Sequence, residues 1–475
     1  EPDYSNLTLL GQIICKYDID TTTEQTQILS DDFTKNGQFA IEINGKRIKY
    51  SKQYLFGSTG YQTVKFLLYS EMSLDNMFKK VSALHYVDFI SEKNIKITSM
   101  NSIFEECDNL EEITMKGFDT SKVKSMSKLF YNALLYRVDF SEVELDTSNV
   151  EDFSYFLARA IVNIFNFKKF DTSKATTMSH MFYNCFSLNS IDVSQFETSK
   201  VKDMSYMFAG MEGLTSLDLS NFNTDLVSSM KGMFSEDISL SNLNIGSFNT
   251  EIVNDMSFMF NNCCRLGKID IKNFKTLNVI NMEHMFNSCS QLTSLDVTGF
   301  DTTNVENMSY MFAGTKTLSS IDVKNFKTSK VRDMSSMFFY NPYLKFLDVS
   351  NFDTSNVQNM ADMFHDVSSL TGIVGIENFK TGNVKNMSSM FEGATSARVI
   401  NVANFDTSNV ITMKRMFSDC NSVTSLDVSK FNTAKVKDMS YMFQYCKSIS
   451  SLQLTNFDTS EVTTMNQMFR SCTNL

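Results

Sequence analysis

The sequence is poor in residues that interrupt regular structure, and it contains no tryptophan. Among its 475 residues are 2 prolines and 17 glycines. No apolar run reaches the roughly 18 residues that a membrane-spanning helix requires. The 54 acidic residues outnumber the 43 basic ones, giving a net charge of -11 with no basic stripe that could follow a phosphate backbone. These absences argue against membrane insertion and against a nucleic-acid partner.

Residues that carry catalysis or bind metals are few and scattered. None of the four histidines belongs to an H-x-x-x-H or nucleophile-elbow pattern, and the nine cysteines include no C-x-x-C and no Cys-His spacing typical of zinc. Paired carboxylates are common, but they recur with a fixed period, which indicates a solvated surface. We therefore expect a protein that is not an enzyme and that uses no cofactor. The histidines are His85, His180, His284 and His365.

A Met-Phe pair or a close variant recurs along most of the chain, and its second residue is called the marker residue of each repeat. Of the fifteen intervals between successive markers, twelve are 26 residues and the others are 27, 25 and 27. A constant period of this length is typical of a solenoid. About sixteen coils are predicted, with the markers Phe78, Phe104, Phe130, Leu157, Phe182, Phe208, Phe234, Phe260, Phe286, Phe312, Phe338, Phe364, Phe391, Phe417, Phe443 and Phe469.

The coil at 292–317 reads LTSLDVTGFDTTNVENMSYMFAGTKT and combines two patterns of apolar residues. Leu292, Leu295 and Val297 have the spacing of a leucine-rich-repeat strand. Met308 and Phe312 follow at helical spacing, which predicts a short helix or 3₁₀ turn on the opposite side of the coil. The predicted fold is therefore an α/β repeat, a right-handed leucine-rich-repeat solenoid over residues 72–475, with the strands joined in a long parallel sheet.

Two further columns of the repeat are predicted to be structural. A threonine recurs in each coil from Thr120 to Thr459, where its hydroxyl can satisfy exposed backbone N–H groups. Seven cysteines, including Cys263 and Cys289, lie three residues after the marker. This slot also accepts small or apolar residues, which favours buried free thiols, although disulfides between adjacent coils remain geometrically possible.

Residues 1–71 do not follow the repeat. The segment 41–50, IEINGKRIKY, is typical of two strands joined by an Asn-Gly turn, and 61–69 predicts a third strand. A β-rich unit of this kind is expected to cover the otherwise bare edge of the first coil.

A row of carboxylates is predicted on the strand side, at the slot between the second leucine and the valine. In four successive coils, neighbouring charges about 5 Å apart would repel. Lys272 and Lys324 lie two residues further on in alternate coils and could offset the repulsion, whereas a Ca²⁺ ion is the alternative. The row consists of Asp270, Asp296, Asp322 and Asp348.

Three stretches break the repeat and are candidates for protein binding, since exposed aromatic clusters can anchor a partner, although irregular coils can also simply repack. They are the apolar segment 153–167, the segment 338–346 with Phe339, Tyr340, Tyr343 and Phe346, and GIVGIENF at 372–379, which contains an inserted residue.

N-x-S/T sequons occur at Asn6, Asn307 and Asn386, which we expect to be exposed and able to carry glycans if the source is a eukaryote.

The pattern L-x-x-L-D-V-S-x-F-D-T-S-x-V-x-x-M-x-x-M-F-x-x-C over about residues 72 to 475 resembles the 26-residue repeat of BspA-like bacterial surface proteins. The resemblance implies a secreted or cell-surface leucine-rich-repeat protein, not an enzyme, that binds host or matrix proteins in adhesion. The alternative is a structural subunit. The sequence given ends at Leu475, at the first strand leucine of a further coil. Either more chain follows, or a second copy covers that flank in a head-to-tail filament.

Overall fold

The computed structural model describes residues 4–91, 93–135, 143–163, 165 and 167–475. The chain divides into two compact units, Glu1–Leu226 and Val227–Leu475. Coils of the repeat occur in both units, and they are wound as a β-solenoid with nearly no helix.

The first unit contains a six-stranded sheet with the order β10-β8-β1-β6-β3-β4. Strands β8 and β10 run parallel, and the other neighbouring pairs are antiparallel. Because β8 belongs to the first coil, the N-terminal strands and the first coils share one sheet. The strands are β1 (Gly11–Ile19), β2 (Thr26–Gln27), β3 (Phe39–Ile43), β4 (Lys46–Ile48), β5 (Gln53–Tyr54), β6 (Gly60–Leu68), β7 (Met72–Ser73), β8 (Leu84–Ser91), β9 (Ile97–Ser99), β10 (Glu112–Lys116) and β11 (Ser216–Asp218).

The predicted N-terminal hairpin is confirmed. Strands β3 and β4 pair antiparallel across Asn44 and Gly45, whose φ angles of 52° and 71° suit the turn that an Asn-Gly pair favours. The predicted third strand is β6. Strand β1, which lies between β6 and β8, was not predicted from the sequence, although its burial alternates in the period of two expected of a half-buried strand.

The second unit contains few strands. Strands β13 and β14 pair in parallel, with Leu347 opposite Ile373 and Asp348 opposite Val374. One 3₁₀ helix, Ile376–Asn378, follows β14. The strands are β12 (Asn242–Asn244), β13 (Leu347–Asp348) and β14 (Ile373–Val374).

Of the short helix or 3₁₀ turn predicted for each coil, the helix is not confirmed: the described residues contain no α-helix, and this half of the coil consists of tight turns. In the coil of Phe286, the residues two before and two after the marker, His284 and Ser288, have φ angles of 54° and 59°. A left-handed residue cannot continue a right-handed helix, so two such residues four positions apart convert the segment into successive tight turns. The same pair of positions is left-handed around Phe312, Phe338 and Phe364.

Hydrogen bonds between adjacent coils concentrate in this turn segment. The backbone N–H groups of His284, Phe286 and Ser288 donate to carbonyls of the next coil at N···O distances of 2.9, 2.9 and 2.7 Å. The intervening N–H groups, such as that of Met285, bond three residues back within the same coil. In the second unit, a ladder of parallel bridges just before these turns joins Ser229, Asp255, Asn281, Asn307, Asp333, Asn359, Asn386, Thr412, Asp438 and Thr464.

The prediction of a long parallel sheet on the strand side is wrong for this unit. Leu295 is buried but does not belong to a strand, and the bond from Thr293 N–H to Gly267 O, 3.1 Å, links its coil to the preceding one. The apolar pattern indicates which side chains are buried. An extended segment has this pattern whether or not its backbone forms hydrogen bonds with the neighbouring coil. The number of coils, sixteen, stays a prediction.

Stacked columns form the core of the second unit. Marker rings of adjacent coils are parallel and offset, with centroids 5.6 Å apart for Phe260 and Phe286 and 5.9 Å apart for Phe286 and Phe312. Both methionines of each motif between Met230 and Met442, such as Met308 and Met311, are fully buried, whereas Met465 of the last motif is exposed. The predicted burial of the aromatic and methionine columns is confirmed.

The cysteine column is buried and unpaired. All nine cysteines are free, and the thiol of Cys289 donates to the carbonyl of Phe260 at 3.1 Å. Burial raises the pKa of this thiol well above its usual range. Cys263 and Cys420 make equivalent bonds, so the column consists of packed thiols rather than disulfides.

The threonine column ties each coil to the next. The Thr302 hydroxyl accepts a hydrogen bond from Lys327 N–H at 2.8 Å and donates to Lys327 C=O at 3.0 Å. The predicted structural role is confirmed, but the backbone groups that are satisfied belong to the following coil. The threonines from Thr120 to Thr433 are buried, so their hydroxyl groups make these bonds away from water.

Replacing Thr302 by valine tests this inter-coil link. The change keeps the shape of the side chain but leaves the N–H and the C=O of Lys327 facing a buried apolar group, so we expect the free energy of unfolding to fall by about 2–4 kcal/mol. Thr293→Val is the control, since Thr293 is exposed, and should change it by less than about 0.5 kcal/mol. Urea denaturation measures both. Equal, small effects would contradict a structural role for the column.

Candidate functional site

The four aromatic residues of the 338–346 break differ in their surroundings. Phe339 is half-buried, with its ring 5.0 Å from that of His365, and Tyr340 is 41% exposed beneath the Lys316 ammonium, 4.8 Å from the ring centre. Tyr343 and Phe346 are 61% and 52% exposed. The structure brings the Phe339 and Tyr340 rings to 6.1 Å of each other, and no other ring contact links these four residues within the described part of the chain.

Two further exposed apolar side chains lie in the coils that follow Phe346: Val374, within the 372–379 segment, and Val399, which was not singled out from the sequence. Val374 is 45% exposed and stands opposite Asp348, in the slot that holds aspartate in other coils, and Val399 is 56% exposed, eight residues after its marker as Phe346 is. Phe346, Val374 and Val399 are named the apolar strand surface. An apolar residue in an aspartate slot was the signal in the sequence that could have revealed it.

The inserted residue of the 372–379 segment is accommodated at Gly375. This glycine has a φ of 85°, and a side chain there would overlap the backbone of Ser350 in the preceding coil. The bond from Val349 N–H to Val374 O, 2.9 Å, keeps the two coils paired up to the bulge. The extra residue is thus absorbed in a local bulge, and Ile376 then returns to the core.

The apolar break at 153–167 contributes core packing. Phe153 and Phe156 are fully buried, and the rings of Phe156 and Phe165 meet edge to face with centroids 5.8 Å apart. Ile164 and Asn166 lie outside the described residues. Of the two possibilities for this segment, the described rings favour repacking.

The aspartate row caps turns. Oδ1 of Asp296 accepts the backbone N–H of Thr298 at 3.0 Å and its hydroxyl at 2.6 Å, and these bonds lower the pKa of the Asp296 carboxyl. Asp270, Asp322 and Asp348 accept the N–H two residues ahead in the same way. The carboxylates therefore organise the loop after each strand segment.

Lysines offset part of the charge of this row. Lys272 Nζ lies 3.3 Å from Asp270, and Lys324 Nζ lies 3.5 Å from Asp348 in the next coil. Within the described residues, no group of three or more His, Cys, Asp or Glu side chains could hold a metal ion.

A cluster of charged residues next to Phe339 was not predicted. His365 Nδ1 lies 2.8 Å from Asp362, and its Nε2 lies 3.6 Å from Asp366 and 4.0 Å from Glu392. Burial disfavours the charged imidazolium and so lowers the pKa of His365. The nearby carboxylates favour the charged form more strongly, and the net effect is a raised pKa. Arg415 pairs with Glu392 at 2.9 Å, and the cluster packs against Phe339 through the His365 ring.

The three sequons differ in accessibility. Asn6 is exposed, whereas Asn307 and Asn386 are half-buried within the inter-coil ladder. Their side-chain oxygens accept the backbone N–H of Ser309 at 2.9 Å and of Ser388 at 3.0 Å. Glycosylation at these three positions stays a prediction.

Among the described residues, no helix is long and apolar enough to cross a membrane.

A family model described as "Mycoplasma protein of unknown function, DUF285" matches seven overlapping stretches that together span residues 72–475. The chain belongs to this family. The match agrees with the resemblance to BspA-like repeats over the same residues. The stretches matched by the DUF285 model are 72–191, 158–266, 215–319, 237–342, 290–395, 315–420 and 374–475.

Comparison with solved structures finds a leucine-rich cell surface protein from Faecalibacterium prausnitzii A2-165. It is 16% identical to this DUF285 chain and has a TM-score of 0.30, over 86% of this chain and 82% of the other. No curated protein matches the chain.

The bulge at Gly375 gives a sharp test of the local geometry. Gly375→Ala should lower the free energy of unfolding by about 2 kcal/mol or more, because the methyl group overlaps Ser350 and the left-handed φ becomes strained. Gly372→Ala is the matched control, since no atom lies within 4 Å of the added carbon. Thermal or urea denaturation of the two variants measures the difference. Equal stability would contradict the close approach of the two coils.

Proposed function

We propose that this chain is a non-enzymatic, extracellular or cell-surface repeat protein that binds another protein through its second unit, in adhesion or a related contact. The observation that carries the proposal is the apolar strand surface formed by Phe346, Val374 and Val399. The partner is a host or matrix protein that presents apolar side chains to this surface.

Exposed apolar side chains next to polar neighbours are typical of protein-binding surfaces. Lys345 and Arg398 directly precede Phe346 and Val399 and are exposed, and Asp348 beside Val374 is half-buried. A ring and two branched aliphatic side chains bordered by charges resemble the anchor and rim of an interface.

The backbone around the surface supports binding with little loss of conformational freedom. Leu347 pairs with Ile373, and the chain positions on either side of Gly375 are held by its close approach to Ser350. Side chains on such a scaffold are ordered before the partner arrives, which lowers the entropic cost of association.

Self-assembly is the second candidate, and the direction of the inter-coil bonds favours it. In the turn segment, the N–H groups of His284, Phe286 and Ser288 all point to the following coil. The turn segment of each coil therefore has a donor flank and an acceptor flank, which are complementary in a head-to-tail stack.

The binding proposal predicts a specific loss of affinity. With an immobilised panel of fibronectin, fibrinogen and laminin, the double variant Phe346→Ser, Val399→Ser should bind its partner at least tenfold more weakly than the unaltered chain in surface plasmon resonance. The reason is the loss of two exposed apolar anchors.

Leu277→Ser with Ile280→Ser is the matched control, because these residues are similarly exposed in a regular coil of the same unit. The control should retain full binding. Equal losses in both double variants, or no binding to any panel member, would contradict the proposal. Light scattering at increasing concentration of the unaltered chain tests the alternative, since particles that grow with concentration favour self-assembly.

A further inference from the structure

A cavity of about 290 Å³ lies in the second unit, between the coil that contains the bulge and the coil that follows it. Its inner wall is apolar and includes the buried side chains of Leu370, Ile376, Phe391 and Ile400. On its outer side, Thr371, Arg398 and Val399 are exposed to solvent.

The cavity exists because two core columns lose volume in one coil. Six residues after the marker, the coils of this unit carry Leu292, Leu318, Leu344 and Leu370, but the next coil has Ala397. Three residues after the same marker, where the other coils of this unit carry cysteine, valine or a polar residue, it has Ala394. Both alanines are buried and line the cavity. The missing side-chain atoms leave space that neighbouring coils do not close.

The bulge keeps this space accessible. Gly372 lines the cavity without a side chain, and no atom lies within 4 Å of where its side chain would begin. Among the described residues of the lining, Arg398 is the only charged one, and it lies beside exposed Val399. An apolar interior with one cation at its solvent side suits an amphiphile that has an aliphatic chain and an anionic head.

Size and polarity narrow the ligand further. An apolar cavity of about 150 Å³ stays dry and accommodates one benzene molecule, so this one has room for an aliphatic chain of medium length. A carboxylate at the end of the chain would reach water and the Arg398 guanidinium. We propose that the second unit binds a medium-chain fatty acid, with the chain between Leu370, Phe391 and Ala397 and the carboxylate beside Arg398.

This inference goes beyond the protein-binding function and does not depend on it. The cavity is lined by Val399 but not by Phe346 or Val374. A failure of the protein-binding experiment with the Phe346 and Val399 double variant therefore does not decide the fatty-acid proposal, which is tested by the separate measurements below.

Isothermal titration of the full chain with decanoate, below its micellar concentration, tests the proposal. The unaltered chain should bind one decanoate saturably, and Ala397→Leu should weaken binding at least tenfold, because leucine fills the cavity as it does in the neighbouring coils. Ala397→Val, which carries the residue found at Val423 in the following coil, should weaken it less. Circular dichroism and thermal denaturation confirm that both variants are folded.

Arg398→Gln separates the role of the charge from that of the cavity. It should weaken decanoate binding about two- to fivefold, as expected for a solvent-exposed ion pair, and leave the binding of decanol unchanged. Arg332→Gln, an exposed arginine of the same unit outside the lining, should alter neither ligand's affinity.

Three results would overturn the proposal: no saturable binding by the unaltered chain, undiminished binding by folded Ala397→Leu, or equal effects of Arg398→Gln on decanoate and decanol. The last result would exclude the anionic head as the recognised group.

Discussion

The backbone bonds between adjacent turn segments are the constraint on which the second unit depends. Two residues of each coil, such as His284 and Ser288, adopt left-handed conformations, at a cost of roughly 1–2 kcal/mol each for side chains other than glycine. Those conformations direct alternate N–H groups to the following coil, where each finds a carbonyl. Burial of a marker phenylalanine and its methionine contributes about 1.5–3 kcal/mol per side chain, which offsets the strain. These backbone bonds fix how each coil is aligned with the next, and the stacking of the rings and the threonine links follow from that alignment.

The opposite side of the coil is less constrained, and this is where the chain departs from its repeat. The segment around Leu295 forms few inter-coil backbone bonds, so an added residue at Gly375 or a truncated side chain at Ala397 changes the local surface without disturbing the turns. The turn segments, which form many inter-coil bonds, thus hold the coils together, while the strand-side segments, which form few, can vary in sequence and local structure. The apolar strand surface and the cavity both lie on the variable side.

The sequence was sufficient to predict which residues are buried, because Met308, Phe312 and Thr302 recur at fixed positions and burial has the same period. It could not distinguish a helix from successive turns, since apolar residues three and four apart suit both. Left-handed conformations at Tyr310 gave no signal, because tyrosine carries no special preference for them. Asp296 likewise looked like part of a charged surface, whereas its turn cap depends on backbone geometry. Ala397 was visible as a small residue in a leucine column, but only the adjacent bulge makes the space accessible.

Amide hydrogen exchange in the second unit tests most directly whether the turn segments hold the coils together. We expect the N–H groups of His284 and Phe286, and their equivalents in neighbouring coils, to exchange far more slowly than those of 294–297 in the strand-side segment. Site-resolved exchange by nuclear magnetic resonance, or by mass spectrometry with fragmentation, provides the comparison. Equal protection of the two segments, or slower exchange over 294–297, would show that the turn segments do not hold the coils together.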